Sequence, residues 1–310
     1  MNSSLFWKNF NLGKELEISG AFIYNGLYRL HEIQTLYYDE EIFEVFYNLS
    51  VGLERLLKIA IILIEHDENM DQEKFEKSLI SHNHLDLLKR VKNKHSINIS
   101  TQHNELLSLL SNFYKKSRYG RYSIDSVFKP ESEKMLLHSF LEKHLNVKIV
   151  DDPPFDQNNQ FTEFIGKIVK KITTQLFVII SKEAQRLSIY TNEIKSNSKA
   201  SKIFLSKTFT FEDEDILLKE LLVFFINAKK DHGLLEYIKG IKPLDFDSSL
   251  SQEYIQCFFS REKISDVLDE LDELYSYLKK PRERINALSL IGKSGICFDL
   301  EEESDCDDDL

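Results

Sequence analysis

The sequence predicts an all-α fold made of two successive helical bundles. Apolar residues recur at three- and four-residue spacing along most of the chain, the pattern of helices with one buried face. Glycine (10) and proline (5) are scarce among 310 residues, too few for the turns of a β-sandwich or barrel. Hydrophobic residues make up 42% and charged residues 29%, a balance that excludes wholesale disorder.

The elements follow in order. Glu15 to Thr35 reads as a helix, loosened near Gly20 and Gly26. Tyr38 to His66 reads as one long helix with Phe43, Phe46, Leu49, Leu53, Leu57, Ala60 and Ile64 on one face. Ser81 or Asn83 caps a helix through Leu85, Leu88 and Val91. Leu106, Leu107, Leu109, Leu110 and Phe113 mark another from about Asn104 to Lys116, with Gly120 as a terminator beyond it. Glu131 to Leu145 supplies the last helix of the first bundle.

Val150 to Gln160 reads VDDPPFDQNNQ, and its adjacent prolines make the sharpest break in the chain. The expected domains are therefore 1–150 and 151–298, followed by a tail at 299–310. In the second domain Phe161 to Ile194 reads as one long helix, and Ser196 to Lys202 as a polar connector. The acids of Phe211–Asp215 suit the dipole of a helix running over Ile216 to Ala228. Gln252–Phe259, Ile264–Leu278 and a helix from Pro281 to about Ala287 complete the pattern. Val147–Val150 and Phe204–Phe211 are the strand candidates.

The net charge is -11, but Asp299 to Asp309 alone holds eight acidic residues and no basic one. The body stands near -3, and the tail is expected to be disordered because its acids repel one another. Basic residues of the body cluster at Lys89, Arg90, Lys92 and Lys94, at Lys115, Lys116, Arg118 and Arg121, at Lys167, Lys170 and Lys171, and at Lys195, Lys199, Lys202 and Lys207. Such clusters fit either solvated helix faces or a phosphate-binding surface. Three cysteines without CxxC spacing point to a reducing compartment. The longest apolar runs fall far short of the ~20 residues of a membrane span. A cytoplasmic protein with no membrane association is expected.

Several chemical motifs fail on inspection. Gly292-Lys293-Ser294 resembles the end of a phosphate-binding loop, but Ala287 stands where its first glycine belongs. His82, His84, His95 and His103 crowd one region without a cysteine, and read as capping and surface histidines rather than zinc ligands. The acids Asp266, Asp269, Glu270, Asp272 and Glu273 read as a solvated helix face. No cofactor or metal is expected.

Tyr47–Leu63 (YNLSVGLERLLKIAIIL), Ser81–Val91 (SHNHLDLLKRV) and Leu110–Tyr122 (LSNFYKKSRYGRY) occur in an order that resembles the HEPN superfamily, the helical domains of prokaryotic ribonuclease toxins and phage-defence proteins. The resemblance spans about residues 40–125 and implies that the first bundle is HEPN-like. Active members of that family are metal-independent endoribonucleases with an Arg, four to six residues, then a His, brought together by two protomers. The His moves the proton of the attacking 2′-hydroxyl or of the leaving group, and the Arg stabilises phosphoryl charge. Arg90 and His95 meet that spacing here. The position of the family's motif falls near Arg118 and Arg121, after which no His follows at the permitted spacing, so the standard site is degenerate or His84 or His138 substitutes from elsewhere.

The candidate catalytic residues are thus Arg118, Arg121, His84, Arg90 and His95. The candidate nucleic-acid contacts are Lys115, Lys116, Lys89 and Lys92. Arg118, Tyr119, Arg121 and Tyr122 also suit a helix-ending cluster that pairs with Glu54 or packs the bundle. Two functions stay open: a ribonuclease of a phage-defence or toxin system acting on RNA, or a non-catalytic module that binds an operon-encoded partner such as an ATPase or nuclease subunit. A homodimer through the N-terminal helices is expected, because the Leu53–Leu63 run is apolar on more than one side.

Overall fold

The computed structural model describes residues 3–33, 35–124, 132–149, 155–189, 194–228, 233–259 and 264–293. Among them every regular element is helical and no strand is present, so the fold is all-α. The chain divides into two compact units, Met1–Phe211 and Glu212–Leu310.

In the first unit α1 (Ser3–Phe6) passes through a π-helical stretch, Trp7–Asn11, into α2 (Leu12–Glu32). Then come α3 (Asp39–Glu65), α4 (Gln72–Ser78), α5 (His84–Lys92), α6 (Thr101–Lys115), a 3-10 turn (Ser117–Tyr122), α7 (Glu133–Leu145) and α8 (Phe155–Arg186). A short α9 (Lys199–Ser201) and a second π stretch (Lys202–Ser206) follow.

α3 is the hub. It packs against α2, α5, α6, α7 and α8. Its sequence explains why: Val51, Leu53, Leu57, Ile59, Ile61 and Ile62 are all buried and point around the whole helix, so no single neighbour can cover them. The acids Asp39, Glu40 and Glu41 occupy its first turn, where they favour the helix dipole. The apolar Leu53–Leu63 run expected to form a dimer surface is instead consumed inside this unit.

α2 is not loosened at its glycines. A Cβ on Gly26 would lie 2.8 Å from Leu49 Cγ, and one on Gly52 of α3 would lie 2.7 Å from Ile23 Cγ1. The pairs 26–49 and 23–52 run in opposite directions, so α2 and α3 are antiparallel and the two glycines let them close together. Ser19 Oγ completes the contact by donating to the Gly52 carbonyl at 2.8 Å.

The proline-rich segment is not the boundary between compact units. α8 buries Phe161, Ile165, Ile168, Val169, Ile172 and Leu176, and it packs on α3 and α2. The break falls after Phe211. Val150–Pro154 and the tail 299–310 lie outside the described residues. Phe209 and Phe211 alternate like a strand because both are core anchors: Phe211 sits edge-on to Tyr24 and Tyr28, each with centroids 5.1 Å away.

The second unit contains α10 (Glu212–Asn227), α11 (Leu234–Gly240), α12 (Ser251–Phe259), α13 (Ser265–Ser276) and α14 (Pro281–Leu288). Tyr237 donates to the Ala287 carbonyl at 3.0 Å, tying α11 to α14. Tyr254 donates to Glu270 at 2.5 Å, tying α12 to α13, and desolvation together with that carboxylate pushes the Tyr254 phenol up to about 12. None of its described residues is fully buried. On α10, Ile216, Leu217, Leu218, Val223, Phe224 and Ile226 are all exposed.

Candidate functional site

The first unit gathers an unusual set of side chains where α3, the segment before α5, and the end of α6 meet. Glu54 lies on α3 between fully buried leucines and is itself only 7% exposed. One turn on, Lys58 donates to its Oε1 at 2.6 Å. The other oxygen, Oε2, lies 2.9 Å from Nδ1 of His82. A carboxylate only accepts, so Nδ1 carries a proton, and in the neutral ring Nε2 presents the lone pair. The His82 side chain is 43% exposed, and among the described residues nothing bonds its Nε2.

His82 is held in place because Asn83 caps α5, its side chain accepting from Leu85 N at 3.2 Å. The residue before that cap is turned off the helix toward α3. Its ring sits 4.9 Å from the ring of Tyr114, in the last turn of α6. Arg118, just past α6, lays its guanidinium over the same Tyr114 ring at 3.8 Å and over Tyr119 at 4.5 Å. Its Nε is buried without a hydrogen-bond partner, and among the described residues no carboxylate pairs with it. Lys115 and Lys116 stand exposed beside it. The carboxylate, oriented imidazole, stacked guanidinium and two further cations can orient a phosphodiester and accept a proton near it.

Beneath Tyr114 opens a cleft of 270 Å³. Its floor and walls include Trp7, Val51, Ile59, Ile62 and Leu79, with Glu54 and Lys58 inside. Arg55 pairs with Glu15 across it, joining α3 to α2.

The residues singled out from sequence do not converge. His84 is completely buried. Its Nε2 donates to the Ser50 carbonyl at 2.8 Å, and its Nδ1 lies 2.8 Å from Ser111 Oγ, which also accepts the His84 backbone N–H at 2.8 Å. Desolvation lowers its pKa, so the ring stays neutral; it is a core pin between α5, α3 and α6, with no face for a substrate. Arg90 grips Glu65 with two hydrogen bonds, 3.1 and 2.6 Å, and also bonds the Ser78 carbonyl. His95 pairs with Glu183 of α8 at 3.0 Å, and Arg186 holds the same carboxylate at 2.6 Å. Arg90 and His95 are thus each tied to a separate structural carboxylate. Arg121 pairs with the buried Glu133 at 2.5 and 3.0 Å and lies 3.6 Å from Asp39, fastening the 3-10 turn to α7 and α3; Glu133 raises its pKa further. His138 lies 3.1 Å from the Leu36 carbonyl. Lys89 and Lys92 are exposed on α5.

Of the expected residues, Arg118, Lys115 and Lys116 belong to the gathered site. The expected Glu54 pairing with the Arg118–Tyr122 cluster does not form; Lys58 and His82 take that carboxylate instead. His82, Lys58 and Tyr114 were not foreseen as site residues. The signal for them was Glu54 itself, a carboxylate within a run of buried leucines that needs cationic partners nearby. Among the described residues no group of three or more His, Cys, Asp or Glu converges as a metal site, and no helix is long and apolar enough to cross a membrane. No family model, curated protein or solved structure matches this chain.

Proposed function

We propose that the protein is a HEPN-like component of a prokaryotic phage-defence or toxin system, and that its first unit cleaves RNA without a metal. The observation that carries this reading is the trio of His82 on buried Glu54 and Arg118 stacked on the shared Tyr114 ring. In this mechanism Nε2 of His82 takes the proton of a ribose 2′-hydroxyl as its oxygen attacks the adjacent phosphorus. The new 2′-O–P bond closes a 2′,3′-cyclic phosphate as the P–O5′ bond breaks, and the leaving 5′-oxygen recovers a proton from the imidazolium or from water. Glu54 fixes the tautomer, and Arg118 stabilises the charge on the phosphoryl oxygens. Lys115 and Lys116 hold the flanking strand.

The test is cleavage of total tRNA in excess EDTA by the full-length protein. Activity that survives chelation, disappears in His82→Ala and Arg118→Ala, and persists in Arg90→Ala and His95→Ala supports the assignment. Absence of cleavage in the wild type, or equal activity in His82→Ala, refutes it.

A second reading is favoured by a different observation. The described residues of the second unit include no fully buried side chain, and α10 is apolar around its circumference yet exposed. Such a helix requires a covering surface, which a second copy or an operon-encoded partner subunit supplies in an assembly module. Light scattering of the purified full-length protein that reports a monomer, together with no stable co-purifying subunit from its native operon, counts against this reading.

A further inference from the structure

We propose that the cleft beneath Tyr114 binds a single nucleotide unit, with the planar heteroaromatic base inside and its phosphate at the mouth. The distribution of charge leads to this assignment. Inside the cleft the charged groups cancel in pairs, Arg55 with Glu15 and Lys58 with Glu54. The interior therefore offers donors and acceptors but no net charge, which suits an uncharged polar ring rather than an ion. Its lining includes two aromatic side chains, Trp7 and Tyr114, the latter with one face taken by Arg118, and a remaining π-face stacks on bases of any identity.

Around Tyr114, the residue of the cleft wall that Arg118 and His82 both touch, the balance changes. Arg118 lies on the Tyr114 ring without a carboxylate partner among the described residues, and the Nε2 of His82 is open beside the same ring. A guanidinium free of a carboxylate matches phosphate geometry. The volume of 270 Å³ admits one base with its sugar and leaves no room for a second. The same chemistry has two sources, a free mononucleotide or one residue of an RNA strand. Only the second source rests on the proposed ribonuclease reading; binding itself requires no cleavage.

Trp7 is the one tryptophan of the chain, so its emission reports on the cleft directly. The full-length protein is titrated with adenosine 5′-monophosphate, with a 2′-O-methyl oligonucleotide that cannot undergo 2′-hydroxyl attack, and with inorganic phosphate. A saturable change in Trp7 emission is expected with a nucleotide-bearing probe and none with phosphate alone. A response to the oligonucleotide only assigns the RNA source, and a response to the mononucleotide only assigns the free one. Leu79→Phe, which fills the cleft, and Tyr114→Leu, which removes a stacking ring, should each weaken the response at least tenfold, with helical content and melting temperature checked alongside. No saturable change with either nucleotide probe, the same response to inorganic phosphate, or undiminished binding by both variants in folded form, overturns the proposal. RNA cleavage without any Trp7 response would overturn this site while leaving the ribonuclease reading intact. Nucleotide binding without cleavage would do the reverse.

Discussion

Replacing His84 with Gln should change how the stability of this protein depends on pH. In the native chain both ring nitrogens of His84 are satisfied by neutral partners, the Ser50 carbonyl and Ser111 Oγ, and no solvent reaches the ring. Desolvation lowers its pKa below the usual histidine value. The unfolded chain has no such restraint and binds a proton below about pH 6.5. Above that pH both states are neutral and the contribution is flat. Below it, the unfolded state holds a proton that the native state refuses, so stability falls as pH falls, until the pH reaches the lowered native pKa. The effect has an upper limit of about 1 kcal/mol between pH 6.5 and 5.5, reached when the native ring takes no proton in that range. Glutamine does not titrate, so His84→Gln lacks this slope. At pH 7.5 the variant should be less stable by about 2 kcal/mol or more, because buried groups lose their partners. Urea unfolding of both proteins at pH 7.5, 6.5 and 5.5 measures the gap, which should narrow as pH falls, by up to about 1 kcal/mol over the last step. Two stability curves that stay parallel across that range would mean that the native ring accepts the proton and that the buried neutral assignment is wrong.

Other perturbations test the remaining parts of the structure. Gly52→Ala should destabilise by about 1–3 kcal/mol, since its methyl would press on Ile23, whereas Gly120→Ala meets open space and should leave the melting temperature nearly unchanged. Arg121→Ala strands the buried carboxylate of Glu133 and should cost about 2 kcal/mol in chemical denaturation, a structural loss that Arg118→Ala should not reproduce. If Lys115 and Lys116 hold a single strand, neutralising them should flatten the slope of log affinity against log salt by about 0.7 per lysine, measured by fluorescence anisotropy with labelled RNA.

The helices were legible because period is local. Phe43 to Ile64 announces a buried face without reference to any other segment, and α3 forms over that stretch. The unit boundary was not legible, because the apolar stripe of α8 reads the same whether it packs on its own bundle or on α3; only the three-dimensional arrangement decides. The candidate site shows the same limit more sharply. His82 and His84 are two residues apart, yet Asn83 begins the helix between them, sending one ring to Glu54 and the other into the core. The Arg90–His95 spacing is a feature along the chain, while the carboxylates that claim each residue, Glu65 and Glu183, arrive from α3 and α8. No motif read along one segment contains those partners.

Phe211 is at once the final residue of the first unit and one of its buried anchors, wedged among Tyr24, Tyr28 and His31. This dictates where the chain can be cut for recombinant work. A fragment stopping in the proline-rich segment near residue 155 would discard α8 and leave α3 bare along one side. A fragment stopping at Thr208 would keep every long helix of the first unit and still open a hole under an aromatic cluster. Ending just beyond Phe211 retains the plug and drops α10, the greasiest exposed element of the protein. A nested set of C-terminal truncations should therefore show solubility switching on within a few residues, between Thr208 and Glu212, rather than improving gradually with length.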